Sequence, residues 1–340
     1  MIDTLTSLRL FFALMVYASH ISMINREAFS AHIFQEGYVG VSFFFILSGF
    51  IIAHNYTAKL SDGSCSKREF WVARIARIYP LHLLTLVIAL LTGGTFIATQ
   101  PLSWAHLFTS GTLTNAYIPR SDFFFALNSP AWSLCCEQLF YALFPFALPI
   151  VKSPKRLAWI AIAAIFVVLI GSSITPDGYI KGIWYTNPIM RLPDFVVGVL
   201  LWHGYQRVKD KGISPLMASI MEISTILLFI AFYIYAEGVP KPYRYSFYYW
   251  LPMTAIILTF SLQKGVISEL LRTRIFIIGG EISYGIYLTQ ILIINVLATK
   301  VAHLPGAVGA TIVLAAIIAA SYLSYRFYEK PMNKFIRRDL

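Results

Sequence analysis

Arg9 and His20 lie eleven residues apart in the apolar stretch that opens this chain, Arg9 in Ser7-Leu8-Arg9-Leu10-Phe11-Phe12 and His20 in Tyr17-Ala18-Ser19-His20. Eleven helical steps of about 100° make three turns plus roughly 20°, so on an α-helix the two share a face, about 16 Å apart along the axis. A guanidinium grips anions, and a neutral imidazole accepts a proton near neutral pH. Ionisable side chains within a membrane span are costly and read as functional by default. A histidine wetted by headgroups at a helix end is the bland account of His20. Arg9 on the same face favours base catalysis on a hydroxyl presented from outside.

Four further stretches carry candidate groups. In Gly37 to Phe50, the small residues Gly40, Ser48 and Gly49 either permit close helix packing or leave a narrow gap for a ligand chain. In Lys67 to Pro80, Arg68, Arg74 and Arg77 would fix topology or hold anionic lipid, or else grip phosphates, with Trp71 and Tyr79 as stacking surfaces for a base. Ser133, Glu137 and Tyr141 recur at i, i+4, i+8 and share one helix face. A buried Glu137 would pair with an arginine or position a catalytic group. Arg191 and Asp194, three residues apart, read as an internal ion pair. The seven histidines and three cysteines show no ligand spacing, so no metal is expected.

These groups sit in a chain of 340 residues that is 58% hydrophobic and only 13% charged, half the charge of a usual soluble domain. The expectation is an all-α, polytopic transmembrane helix bundle. Spans are expected near 6–25, 38–56, 78–98, 130–150, 157–175, 188–205, 216–236, 246–263, 280–298 and 307–325. The stretch 102–118 reads as interfacial or re-entrant, with an eleventh span as the alternative. The net charge of +11 would suit nucleic-acid binding only on a soluble basic face, so no nucleic-acid partner is expected. Instead the charge alternates between junctions. Nineteen of the 27 basic residues fall at one set, among them Lys59, Lys152, Arg207, Arg272 and Lys330, against six at the other set. By the positive-inside rule both termini are cytoplasmic. The first span lacks a basic flank and a cleavage site, so it reads as a retained anchor. One integral membrane unit over 1–340, without a fused soluble domain, is the expected organisation.

Taken in order, the motifs resemble the integral-membrane acyltransferase-3 family, which includes O-acetyltransferases of bacterial surface polysaccharides. The matches are Arg9 and His20, the run from Gly40 to Gly49, Arg68, Arg74, Arg77 and Pro80, and then Trp132, Ser133, Leu134, Glu137, Phe140 and Tyr141. They continue with Arg191, Phe195 and Gly198, with Ser283, Tyr284, Tyr287 and Leu288, and with Glu329 and Pro331. Two positions depart from the pattern: Ser42 stands where many members have Asp, and Gln290 where many have His.

The resemblance implies a multi-pass protein of the bacterial cytoplasmic (inner) membrane with a cytoplasmic acetyl-CoA donor. Its acceptor would be a glycan or lipid-linked saccharide at the outer face, with membrane lipids around it. Arg68, Arg74 and Arg77, joined by Arg9, would hold the donor's phosphates. The acyl arm would pass Ser48 toward His20, which would deprotonate a hydroxyl or briefly carry the acyl group. Glu137 joins Arg9 and His20 as a catalytic candidate, and Glu27 or Glu36 would orient the imidazole. The rival class is a transporter or flippase for a lipid-linked saccharide. Intramembrane charges suit that too, but the inverted repeats common in transporters are not evident.

Overall fold

The structure is a computed structural model that describes residues 2–93 and 101–338. Among the described residues it is helical throughout, without a strand. Ten principal helices fall at the ten expected positions. They are α1 (Asp3–His20), α2 (Gly40–Ser61), α3 (Lys67–Thr92), α4 (Trp132–Leu143), α5 (Pro154–Ile174), α6 (Pro188–Val208), α7 (Pro215–Tyr235), α8 (Trp250–Ser261), α9 (Arg274–Val301) and α10 (Gly306–Ser324). Residues 94–98 of the expected third span lie outside the described residues.

Seven helical segments are long and apolar enough to cross a membrane: those containing α1, α2, α3, α5, α7, α9 and α10. The other three differ for physical reasons. Helices α4 and α8 have 12 residues each, about 18 Å against a hydrocarbon core of roughly 30 Å. Helix α6 has 21 residues but carries Arg191 and Asp194 inside. The stretch 102–118 forms an eight-residue helix, Trp104–Gly111, and a 3₁₀ turn at Asn115–Tyr117. Eight residues rise only about 12 Å, so this helix does not make an eleventh span.

Local chemistry sets the helix ends. Ser153-Pro154, Asn187-Pro188 and Ser214-Pro215 each place a capping side chain before a proline at the first turn, and each cap accepts a backbone N–H. Ser66 and Glu69 form a reciprocal capping box at the start of α3. Within α3, Pro80 has no N–H to offer the carbonyl of Ala76, four residues earlier. Asn333 Nδ2 donates to that carbonyl at 3.1 Å. A proline in one helix thus leaves an acceptor that docks the C-terminal helix Lys330–Ile336, reached through a π-helical turn at Tyr325–Glu329.

Helix α1 is central. It packs on α9 and α2, and its hydroxyls reach distant carbonyls: Thr4 to Phe260 (2.5 Å), Ser7 to Leu271 (2.6 Å) and Tyr17 to Ala310 (2.6 Å). Helices α2 and α6 cross backbone to backbone. A Cβ on Gly49 would strike the Phe195 carbonyl, and one on Gly198 the Ile46 carbonyl. Beside this crossing, Arg191 Nη2 pairs with Asp194 Oδ2 at 2.7 Å and donates to Ser42 Oγ at 2.7 Å. Helices α5 and α7 lie at the periphery, with Trp159, Phe166, Ile170, Leu216 and Leu227 turned outward, as lipid-facing helices require.

Candidate active site

Four cavities follow one another through the bundle, three of them against α1. The widest, about 1180 Å³, lies between α3, the end of α2 and the C-terminal helix. Lys59, Arg77, Lys330, Lys334, Arg337 and Arg338 line it against only two acids, Glu69 and Glu329. Arg77 stands at its inner wall, 3.9 Å from Glu329 and with its guanidinium 5.0 Å from the Tyr284 ring centre. Arg77 also lines the next cavity, about 140 Å³, together with Arg9, Ser48, Arg74, Glu137 and Tyr141. There Arg74 donates to Tyr56 OH at 3.1 Å, and Tyr141 OH donates to Glu137 Oε2 at 2.7 Å.

Beyond Arg9 and Glu137 the passage narrows to about 40 Å³, between Val41, Phe44, Phe45, Ser133, Tyr284 and Tyr287. A volume of that size holds little more than one water. Val41 and Tyr287 then open onto an outer cavity of about 700 Å³, where His20 lies among Tyr38, Trp132, Tyr185 and Tyr245. The predicted alignment on α1 therefore places Arg9 on the side of the neck nearer the basic cavity and His20 on the opposite side.

His20 has a different neighbour from the expected ones. Glu36 is buried and engaged elsewhere: it pairs with Arg244, accepts from Tyr249 OH at 2.9 Å and from Tyr38 OH at 3.1 Å, and lies 3.4 Å from His32. Glu27 is exposed. The side chain against the imidazole is Gln290, fully buried on α9, whose Nε2 donates to the Tyr287 carbonyl at 3.0 Å.

Other expectations divide. Gly40 and Gly49 serve packing; a Cβ on Gly40 would come within 2.5 Å of the Phe12 carbonyl oxygen. Ser48, one residue from Gly49, lines the cavity beside Arg9. Arg74 and Arg77 face the cavities, whereas Arg68 is exposed and lines neither inner one. Trp71 and Tyr79 do not face the basin. Trp71 Nε1 donates to the Tyr141 carbonyl at 3.0 Å, and Tyr79 OH meets the Gln138 side chain at 3.2 Å. Tyr56, Tyr325 and Phe335 are the aromatic rings that line this basic cavity, the basin. The ion pair Arg191–Asp194 forms as its spacing implies. The C-terminal cations went unassigned because their only sequence signal was the positive-inside bias, and docking by Asn333 is what turns them toward Arg77. Among the described residues, no cluster of three or more His, Cys, Asp or Glu could hold a metal ion.

An acyltransferase domain model matches residues 2–326. The chain belongs to the acyltransferase-3 family. As a member it is an acyl-transferring enzyme. It is 30% identical over 335 residues to the acyltransferase MdmB of Streptomyces mycarofaciens, covering 86% of this chain and 79% of MdmB. It is 25% identical over 327 residues to a provisionally named O-acetyltransferase of Staphylococcus aureus, covering 88% of this chain. With YrhL, a provisionally named peptidoglycan O-acetyltransferase of Bacillus subtilis, identity is 26% over 330 residues and 87% of this chain. The chain spans about half the length of these last two relatives. No solved structure matches it. Both departures from the acyltransferase-3 pattern fall at informative places. Ser42 sits on the buried Arg191, with Asp194 supplying the carboxylate, and Gln290 sits against His20.

Proposed function

We propose that this protein is a membrane O-acyltransferase that moves an acetyl group from cytoplasmic acetyl-CoA to a hydroxyl of a cell-surface or exported glycan. The row of cavities from a basic basin to His20 carries the reading. The excess of Lys and Arg at the junctions on the basin side supports a cytoplasmic basin in a bacterial inner-membrane protein. The basin suits a donor rich in phosphate, with Arg77, Lys330, Lys334, Arg337 and Arg338 as its counter-charges. The thin acyl-bearing arm runs past Arg74, Ser48 and Arg9 into the neck. A neck of only about 40 Å³ limits the water that can reach the thioester. In the outer cavity the aromatic walls receive a saccharide. His20 takes the proton of its hydroxyl as the oxygen attacks the thioester carbonyl. The carbon–sulfur bond then breaks, and the proton passes to the departing thiolate. Gln290, lying against the imidazole, is the side chain positioned to orient it. The names of the two O-acetyltransferase relatives support a hydroxyl acceptor, and that of YrhL a glycan.

The test is purified protein with acetyl-CoA and a fraction of cell-envelope glycan, followed by release of CoA and acetylation of the glycan. His20→Ala should lower transfer at least a hundredfold, the low end of what a general base contributes, while the protein elutes as the parent does. Normal transfer by that variant would overturn the mechanism. Intact acetyl-CoA with vectorial movement of a saccharide would make the protein a transporter instead.

A further inference from the structure

The outer cavity is unbalanced in charge. Its lining includes Lys181 and Arg26 but no Asp or Glu. Four arginines of this protein have acids within ion-pair distance: Arg244 has Glu36, Arg191 has Asp194, Arg120 has Asp122 and Arg77 has Glu329. Among the described residues, Lys181 and Arg26 have no such partner within ion-pair distance.

Lys181 is exposed to solvent and lines the cavity. It begins the π-helical segment Lys181–Thr186, which also carries Tyr185 of the cavity wall. Its Nζ sits 4.7 Å from the centre of the Phe125 ring, and it is close enough to His20 for their charges to interact. Partial desolvation against the cavity wall and the nearby Lys241 hold its ammonium below the ordinary lysine value. Both cations are solvent-exposed, and in a cavity lined by no acid they are free to pair with an anion that a ligand brings. Aromatic contact alone gives only about 0.5–2 kcal/mol.

We infer that the acceptor carries a negative charge close to the hydroxyl that is acylated, and that Lys181, with Arg26 at the rim, binds it. The inference rests on the reading of this cavity as the acceptor site. The shared chemistry is a carboxylate or phosphate oxygen. It comes either from an acidic sugar or from the diphosphate of a lipid-linked saccharide.

Two probe pairs separate these sources, with binding to the purified full-length protein as the readout. One pair is a glucuronic acid disaccharide and its neutral methyl ester. The other is prenyl-diphosphate-linked N-acetylglucosamine and the corresponding prenyl glycoside without phosphate. In one pair the charged member should bind about tenfold tighter, the effect of one charge-assisted contact. Lys181→Gln should erase that difference, Lys181→Arg should keep it, and Arg26→Gln should reduce it. Equal affinities within both pairs, no binding of any probe, or a preference that survives Lys181→Gln would each overturn the inference. So would an equal loss for charged and neutral members, which marks a merely structural lysine. His20→Ala should retain the preference while losing transfer. If it keeps transfer, the catalytic reading fails and the charge preference is judged separately.

Discussion

Replacing Arg191 by Met should cost about 3–5 kcal/mol, because it strips a buried carboxylate of its counter-charge. Arg191 is 0% exposed and Asp194 2%. The guanidinium spans Asp194 Oδ2 and Ser42 Oγ, both at 2.7 Å. Without it, Asp194 keeps one neutral donor, Trp250 Nε1 at 2.5 Å, in a place that water does not reach. Set against a folding stability of roughly 5–15 kcal/mol, that loss is a large share. Replacing both partners, as Arg191→Met with Asp194→Leu, removes the buried charge altogether. Such exchanges are often neutral or stabilising by about 1–4 kcal/mol, here set against about 1–3 kcal/mol for each orphaned donor or acceptor at Ser42 and Trp250. The double variant should therefore be more stable than the single one. Thermal unfolding of the parent, both single variants and the double variant in detergent gives the coupling directly. If Arg191→Met unfolds with the parent, or the double variant is no better than the single, Arg191 does not act as the counter-charge that Asp194 requires.

Two further predictions follow from the same geometry. Changing Lys330, Lys334, Arg337 and Arg338 together to Gln should raise KM for acetyl-CoA about tenfold or more and weaken its salt dependence, leaving kcat nearly unchanged, whereas Arg68→Gln should alter neither. Initial rates at two ionic strengths check this, and an equal effect from Arg68→Gln would count against the basin. Gly198→Ala should destabilise by about 1–3 kcal/mol, since the added Cβ would stand 2.9 Å from both the Ile46 carbonyl carbon and the Phe50 amide nitrogen; thermal unfolding reads it.

What was legible from sequence follows a physical division. Helix positions were legible because apolar runs of about 20 residues leave the chain few alternatives. Pairs within one helix were legible too. Arg9 with His20, Glu137 with Tyr141 and Arg191 with Asp194 follow from helical geometry. Relations between helices were not. Nothing local assigns Glu36 to Arg244 and Tyr249, over 200 residues away, or Gln290 to His20. Direction around a helix was also hidden in the basic run. Arg74 and Arg77 face the cavities while Arg68 and Trp71 do not, and the contacts of α3 with its neighbours decide it.

The width of the passage bears on the difference between an enzyme and a transporter more than its charges do. Intramembrane arginines and acids serve both classes. Alternating access needs two halves that rock about a central site. Here the neck is bounded by α1, α2, α4 and α9, and on either side of it these helices are locked. The α2–α6 crossing has backbone on backbone at Gly49 and Gly198. Arg191 ties α2 to α6 through Ser42, and Ser7 and Tyr17 anchor α1 to carbonyls at Leu271 and Ala310. A 40 Å³ constriction is too small to hold a saccharide as it stands, whereas an extended acyl arm is a far thinner guest for the space between Phe44, Tyr284 and Tyr287. The geometry therefore favours two substrates that meet at a fixed constriction, each kept on its own side, with the acyl group alone crossing between them.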